Sequence, residues 1–121
     1  SLFSRRQTSN NAGYDCGGSA AAANRASVAI TDGSGFFLGK ANSLTSMLYR
    51  NGSVIATKAL ASASFNSSTV YIGAFNAGGT ASFYAARDLS FASFGYGLTD
   101  IQAVNFNKAV QRFQLSLGRN V

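Results

Sequence analysis

Short apolar or alternating runs, separated by clusters of glycine, serine and asparagine, make up most of this 121-residue chain. Runs of this length that are bounded by turn residues are typical of β-strands. No helical pattern stands between successive runs, so the order of elements predicts an antiparallel two-sheet sandwich. The predicted strands cover residues 2–6, 27–31, 36–38, 45–50, 53–57, 70–75 and 82–94.

The clearest turn is Asn51-Gly52, which separates the strand-like runs 45–50 and 53–57. Both turn residues tolerate a positive φ, which a two-residue β-hairpin requires, so this pair predicts a tight hairpin. A second turn is predicted at residues 32–35, where Asp-Gly-Ser-Gly interrupts the apolar pattern.

The alternation in the last predicted strand, residues 82–94, is imperfect. Phe83, Ala85, Leu89 and Phe91 fall on one face, and the same spacing places Arg87 among them. We favour a β-bulge near residues 87–88, which shifts the register by one residue. The alternative is that Arg87 lies on a concave, partly hydrated face, which would point to a functional site.

A helix of about residues 100–117 is predicted to close the chain. Thr99 is a good N-cap, Gln102 completes a capping box, and the charge of Asp100 suits the N-terminal end. Gly118 is placed to end the helix. An apolar stripe is predicted to pack on the sandwich, with a partner-binding seam as the alternative. The stripe consists of Phe106, Val110, Phe113 and Leu117.

Composition indicates one globular domain, residues 1–121, because hydrophobic residues make up 46% of the chain and charged residues only 12%. No apolar run reaches the roughly 20 residues that a membrane span needs, so no span is predicted. The first residue is Ser rather than Met, and we expect the chain to be trimmed, processed or cut from a longer protein. Cys16, which follows Tyr14-Asp15, is predicted to be a small buried thiol in or beside a strand.

The net charge of +6 reflects a shortage of acids, because the chain has four Asp and no Glu. The cations are scattered and form no basic stripe with interleaved aromatic residues, so no nucleic-acid partner is predicted. Attraction to anionic surfaces is the alternative. The chain also lacks histidine, which excludes a Ser-His-Asp triad and histidine-based metal sites. We predict no enzyme activity, no catalytic residue, no metal and no cofactor.

Three segments resemble laminin-G-like, concanavalin A-like lectin/glucanase domains. Residues 48–57, LYRNGSVIAT, resemble the "LYVNGxxVAT" hairpin of that family, and residues 70–73, VYIG, resemble its following "LYIG" strand. Residues 91–100 resemble the closing "VRIYNRALSD" segment. The matches come in the order of the family and cover about residues 45–105. The ending also resembles C-terminal domains of phage tail or virion proteins.

The resemblance implies an antiparallel jelly-roll sandwich with glycan binding on its concave face or rim loops. Gln102 stands where the family often has Glu, and the chain before residue 45 matches poorly. Early strands are therefore expected to be missing, very short or supplied by another chain. The glucanase activity of the family is not expected, because a glycosidase needs two suitably placed carboxylates and the four Asp form no closely spaced acidic motif.

Tyrosine rings can stack on sugars, and acids and amides can bind their hydroxyls, which makes five residues candidates for ligand binding. They are Tyr14, Asp15, Asn24, Arg25 and Tyr96. We predict a non-catalytic extracellular or virion surface module that binds a glycan or another cell-surface polymer. The alternative is a structural subunit that assembles into a virion, tail or filament through its sheet edges. Its partners would be neighbouring copies of itself or a larger parent protein.

Overall fold

The computed structural model consists of short β-strands followed by one α-helix within the residues that it describes, which are 2–3, 10–15, 24–42, 44–60, 70–77, 79–82, 84 and 88–119. In chain order the elements are β1 Leu2–Phe3, β2 Asn11–Asp15, β3 Arg25–Ala29, β4 Phe37–Ala41, β5 Thr45–Arg50, β6 Ser53–Ala59, β7 Phe75–Ala77, β8 Thr80–Ser82 and α1 Asp100–Ser116.

All pairings between these strands are antiparallel. The strands form one sheet in the order β1-β2-β3, a second in the order β4-β5-β6, and a separate β7-β8 hairpin. The predicted architecture, mainly antiparallel β with one C-terminal helix, is therefore confirmed at this level. β2 ends directly before Cys16, which lies outside the described residues.

The predicted Asn51-Gly52 hairpin is confirmed and joins β5 to β6. Both residues have positive φ, 51° for Asn51 and 82° for Gly52, as a type I′ turn requires. The side chain of Asn51 also ties the turn to the start of β4, because its Oδ1 accepts a hydrogen bond of 2.8 Å from the Phe36 N–H. The turn at residues 32–35 is present as well, with Asp32 Oδ1 accepting from the Ser34 N–H at 2.9 Å.

The first and second sheets share one hydrophobic core. Ala12 of β2, Ala26 of β3 and Leu48 of β5 are buried at its centre. Partly buried side chains surround them: Tyr14, Ile30, Phe37, Ile55 and Ala56. Successive side chains of a strand point to opposite faces, so Leu48 faces the first sheet while its neighbour Tyr49 faces away from it.

The helix lies on the other face of the second sheet. Tyr49 donates a hydrogen bond of 2.7 Å from Oη to Asp100 at the start of α1. The rings of Phe36 and Phe106 meet at 5.8 Å between centroids. A Cβ at Gly52 would lie 3.0 Å from Asn107 of the helix. These contacts make the second sheet the middle layer, with the first sheet on one face and α1 on the other.

Both predicted ends of α1 are confirmed. The Thr99 side chain accepts from the Gln102 N–H at 3.2 Å, and Gln102 Oε1 accepts from the Thr99 N–H at 2.8 Å. Gly118, with a φ of 69°, ends the helix, and the Arg119 N–H reaches the Gln114 carbonyl at 2.9 Å. This is the Schellman pattern, which satisfies carbonyls that the last turn leaves open.

The predicted apolar stripe of α1 is only half correct. Val110 is buried and Phe106 is partly buried, but Phe113 is 49% exposed and Leu117 is 50% exposed. The other buried positions of the helix are Ala103 and Gln114. The buried side of the helix is thus rotated relative to the predicted stripe, and Gln114 is buried where its side chain donates a hydrogen bond to the Ser90 carbonyl of the preceding segment.

Two predicted strands are wrong over most of their described residues. In the segment 70–75 only Phe75 belongs to a strand, and Val70 and Ile72 are 63% and 62% exposed. In the segment 82–94, β8 ends at Ser82 and the described residues from 88 onward form no strand. A strand needs a partner edge as well as suitable residues, and among the described residues of the two segments only Phe75 and Ser82 are paired, with each other. Phe83, Ala85 and Arg87, on which the predicted bulge depends, lie outside the described residues.

Replacing Thr99 with alanine is expected to reduce the free energy of unfolding by about 0.5–2 kcal/mol, because the Gln102 N–H loses its acceptor. Urea denaturation followed by far-ultraviolet circular dichroism measures the change. Thr99→Ser is the matched control, since its hydroxyl can keep the cap. Equal losses in the two variants would contradict a capping role for the hydroxyl.

Candidate functional site

Two of the five predicted ligand-binding residues form an ion pair across β2 and β3. Asp15 stands opposite Arg25 in the strand register. The guanidinium donates two hydrogen bonds to the carboxylate, from Nε to Oδ1 and, at 3.1 Å, from an Nη to Oδ2. The Asp15 side chain is only 4% exposed, and its hydrogen bond raises the pKa of Arg25. Such a bidentate pair fixes both side chains and directs their hydrogen bonds toward each other.

Tyr14 and Asn24 neighbour this pair in sequence, but they contact the interior. Tyr14 lies on the opposite face of β2 from Asp15 and packs against the core. Its ring rests on Gly39, where an added Cβ would lie 2.2 Å from the ring carbon Cδ2. Asn24 is 3% exposed, and its carbonyl accepts a hydrogen bond of 3.2 Å from the Ser46 hydroxyl. The structure thus brings together Asp15 and Arg25, while Asn24 is buried and the face of the Tyr14 ring is used in packing.

Tyr96 lies in a different part of the fold. It is 99% exposed, in the segment that leads into α1, and Gly95 and Gly97 flank it. A Cβ at Gly97 would come within 3.2 Å of the Ala41 carbonyl at the end of β4. The five predicted residues therefore do not form a single site, although Tyr96 presents a complete aromatic ring to solvent.

A polar cluster that sequence reasoning missed joins β4, β5 and α1. The Asp100 carboxylate accepts hydrogen bonds from Lys40 Nζ and from Tyr49 Oη. Tyr49 is 2% exposed and the Lys40 side chain 9% exposed, whereas the Asp100 side chain is 70% exposed. Asp100 was predicted as a helix-start residue, and it has that role. Its link to two strands some 50 to 60 positions earlier leaves no local sequence signal.

The cluster shifts the pKa of each member. Hydrogen bonds from Lys40 and then from Tyr49 hold the pKa of Asp100 below its ordinary value near 3.8. Burial raises the pKa of Tyr49, and its bond to Asp100 raises it further. Burial acts to lower the pKa of Lys40, but its interactions with Asp100 and Tyr49 leave it raised. All three groups therefore favour the charge states that they have at neutral pH.

The stabilising effect of the Asp100 carboxylate is expected to disappear in acid. Folding lowers the pKa of Asp100, so its contribution is present above the ordinary value near 3.8 and is lost as the pH falls through the lowered pKa. Urea midpoints of the native protein and of Asp100→Asn should therefore differ at pH 7 and converge in strong acid. Asp88→Asn, at an exposed position without an ion-pair partner among the described residues, is the control at protein concentrations where the chain is monomeric. A difference that persists unchanged in acid would contradict this role.

A third ion pair holds the turn before β4. Arg50 donates to the Asp32 carboxylate at 2.8 Å, and its guanidinium lies 5.6 Å from the centre of the Phe37 ring. Hydrogen bonds from the Ser34 hydroxyl and backbone, together with Arg50, lower the pKa of Asp32. The carboxylates of Asp15, Asp32 and Asp100 are thus each bound by a cation. Within the described residues, no three potential metal ligands of the His, Cys, Asp or Glu type come together.

The described C-terminal part of the chain has an unusually apolar surface. Phe91 sits among the rings of Phe36, Phe106 and Phe113, with centroid distances of 6.1–6.3 Å. Several other large apolar side chains in this part of the fold are at least half exposed. They are Val70, Ile72, Leu89, Phe94, Ile101, Leu115 and Leu117. Exposed large apolar side chains are thus frequent among the described residues from 70 to 117.

The fold and its polar clusters define a small, mainly antiparallel-β domain with a C-terminal helix. No family model, curated protein or solved structure matches the chain. Among the described residues, α1 is the helix, and it is neither long nor apolar enough to cross a membrane.

Proposed function

We propose that this chain is a non-catalytic structural module that assembles with other copies of itself on a virion or another extracellular surface. The observation that carries the proposal is the exposed apolar surface of the C-terminal part, which contrasts with the small residues at the centre of the core, Ala12 and Ala26. Burying such a surface against a second copy would provide the hydrophobic stabilisation that one copy leaves unused.

The finer fold that we propose is a concanavalin A-like jelly roll completed between copies. The hairpin at Asn51-Gly52 and the capped helix α1 support the resemblance. The segments 70–73 and 91–94 match strands of the family in sequence, yet they form no strand in the single chain. A sandwich that is completed by a neighbouring copy would contain such strand-like segments, which pair only when the other copy provides a strand edge.

Self-assembly is tested by light scattering coupled to size exclusion over a wide range of protein concentrations. We expect a mass above that of the 12.5 kDa monomer, and we expect the average mass to increase with concentration. A protein that remains monomeric up to millimolar concentration would contradict the proposal. The resemblance to phage tail and virion C-terminal domains supports the proposed location, and negative-stain microscopy of the concentrated protein would show any ordered assembly.

Glycan binding is the second candidate, because the Tyr96 ring is 99% exposed and Phe94 beside it is 69% exposed. Neighbouring glycines allow such a ring to adapt to a ligand, and tyrosine provides a large contact area at a low entropic cost. Asp15 and Arg25 are less available, because their charges already satisfy each other.

The glycan candidate is tested on an array of polysaccharides with the native protein, Tyr96→Ala and Tyr84→Ala. Tyr84 is 74% exposed and serves as the matched control for the loss of an exposed tyrosine. Binding that is lost only in Tyr96→Ala would support a glycan site at Tyr96. Binding that survives in Tyr96→Ala would remove this residue from the site.

A further inference from the structure

The segment 88–94, DLSFASF, has a strand sequence but no strand structure. Leu89 and Phe91 alternate with Ser90 and Ala92, the pattern of a half-buried strand. All of these residues are exposed to solvent. Within the described part of the chain one hydrogen bond reaches the segment, a 3.4 Å contact from Gln114 Nε2 to the Ser90 carbonyl. Its other backbone groups are thus available to pair with a strand from outside.

Strand β6 offers the longest edge for such pairing among the described strands. It runs from Ser53 to Ala59 and pairs with β5 on one side, while no described strand is hydrogen-bonded to its other side. Most of its side chains are exposed. An edge strand of this length presents a row of N–H and C=O groups that can accept an additional strand. Lys58 lies near its end.

The charges of the described residues also favour a contact between the segment 88–94 and strand β6. Asp15, Asp32 and Asp100 are in ion pairs within the chain, which leaves Asp88 as the described carboxylate that can form an ion pair between copies. Among the described cations without a carboxylate partner, Lys58 is the one that lies on a strand. The others, Lys108, Arg112 and Arg119, lie on α1 or just after it.

We propose that residues 88–94 of one copy add to the free edge of β6 in a second copy as an antiparallel strand, with Asp88 opposite Lys58. This inference rests on the proposed self-assembly and names the surfaces that carry it. In this register Leu89 stands opposite Thr57 on the regular part of the edge, and Phe91 stands opposite Ile55, where the pairing of β6 with β5 shifts by one residue. If the segment ran parallel to β6 with Asp88 opposite Lys58, the residues after Leu89 would extend beyond the end of β6 at Ala59. In the antiparallel direction the segment instead pairs along the edge from Lys58 back to Ser53.

Each copy carries one such segment and one such edge. Head-to-tail pairing therefore extends into a chain of copies, and reciprocal pairing closes a dimer. Phe91 can keep its contacts with Phe36 and Phe106 in either case, because strand addition uses backbone groups and leaves alternate side chains on their own domain.

Charge reversal tests this pairing. Lys58→Asp and Asp88→Lys should each weaken association by about tenfold, because each places like charges opposite one another. The double variant Lys58→Asp/Asp88→Lys should restore association to within about threefold of the native protein, since the pair is again complementary. Association constants come from sedimentation equilibrium at low salt, and circular dichroism checks that each variant folds. Lys108→Asp changes the net charge as Lys58→Asp does, but on α1, and should leave association unchanged.

The outcomes separate this inference from the broader proposal. Association that neither single reversal weakens, or that the double variant does not restore, overturns pairing between residues 88–94 and β6 while self-assembly stands. A native protein that is monomeric at every concentration overturns both. Hydrogen exchange gives a second readout, because the amides of residues 88–94 and of the outer edge of β6 should become protected as the concentration increases.

Discussion

Replacing Leu48 with alanine is expected to lower the free energy of unfolding by about 2–5 kcal/mol. Leu48 is fully buried and contacts the core between the two three-stranded sheets. Truncation removes its transfer free energy and leaves a cavity, and Ala12 and Ala26 are too small to fill it. A loss of this size is a large fraction of the about 5–15 kcal/mol that stabilises a typical domain.

Urea denaturation of the native protein and of Leu48→Ala measures the loss, and Leu44→Ala is the matched control. Leu44 is 72% exposed, so its truncation should change the free energy of unfolding by less than about 0.5 kcal/mol. Similar losses in the two variants would mean that Leu48 does not lie in a shared core between the sheets.

Adding a methyl group at Gly39 is expected to destabilise the fold by about 1–3 kcal/mol or more. The Cβ of Gly39→Ala would lie 2.2 Å from Cδ2 and 2.5 Å from Cγ of Tyr14. Neither ring atom can move away unless the whole side chain changes rotamer or the two sheets separate. The close approach of β4 and β2 thus depends on the absence of a side chain at Gly39.

Two variants make this test specific. Gly95→Ala adds the same methyl group where no atom lies within 4 Å, and it should leave the urea midpoint nearly unchanged. The double variant Gly39→Ala/Tyr14→Ala removes the clashing ring and should lose less stability than the sum of the two single variants. Strict additivity would show that Tyr14 does not rest on Gly39, and the Tyr14 ring would again be available to bind a ligand.

The polar clusters bear directly on function, because they assign roles to most of the acids. Asp15 holds β2 to β3, Asp32 holds a turn, and Asp100 joins the start of α1 to β4 and β5. A glycan site built on these carboxylates would have to break an existing ion pair. The exposed aromatic and apolar side chains of the C-terminal part are not held in ion pairs. They are therefore available to contact a second copy or a glycan.

Local features were predictable because their determinants lie within a few residues of each other. Thr99 and Gln102 are three positions apart and reach the same helix end whatever the rest of the chain does. Asn51 and Gly52 tolerate positive φ by virtue of their own covalent structure. The pairs next to that turn, Arg50 with Ser53 and Tyr49 with Val54, followed directly from it, whereas the register shift beyond them, which leaves Ile55 unpaired, had no signal in the turn.

The segments 70–75 and 82–94 were not predictable in the same way. Their residues favour strands as strongly as those of β5 do, yet β5 has a partner on each side, whereas in the described parts of these segments only Phe75 and Ser82 are paired, with each other. The same reasoning applies to Tyr14 and Asp15. Adjacent positions on β2 point to opposite faces, and which face becomes core depends on the sheet that packs there.

By itself, the sequence determined the mainly β character, the Asn51-Gly52 hairpin and the capped helix from Thr99 to Gly118, because turns and caps depend on near neighbours. Only the tertiary structure decided which strand-like segments found partners, which side of α1 was buried, and how Asp100 came to meet Lys40 and Tyr49. Those outcomes depend on contacts between residues far apart in the chain, and a single sequence carries no signal for such contacts.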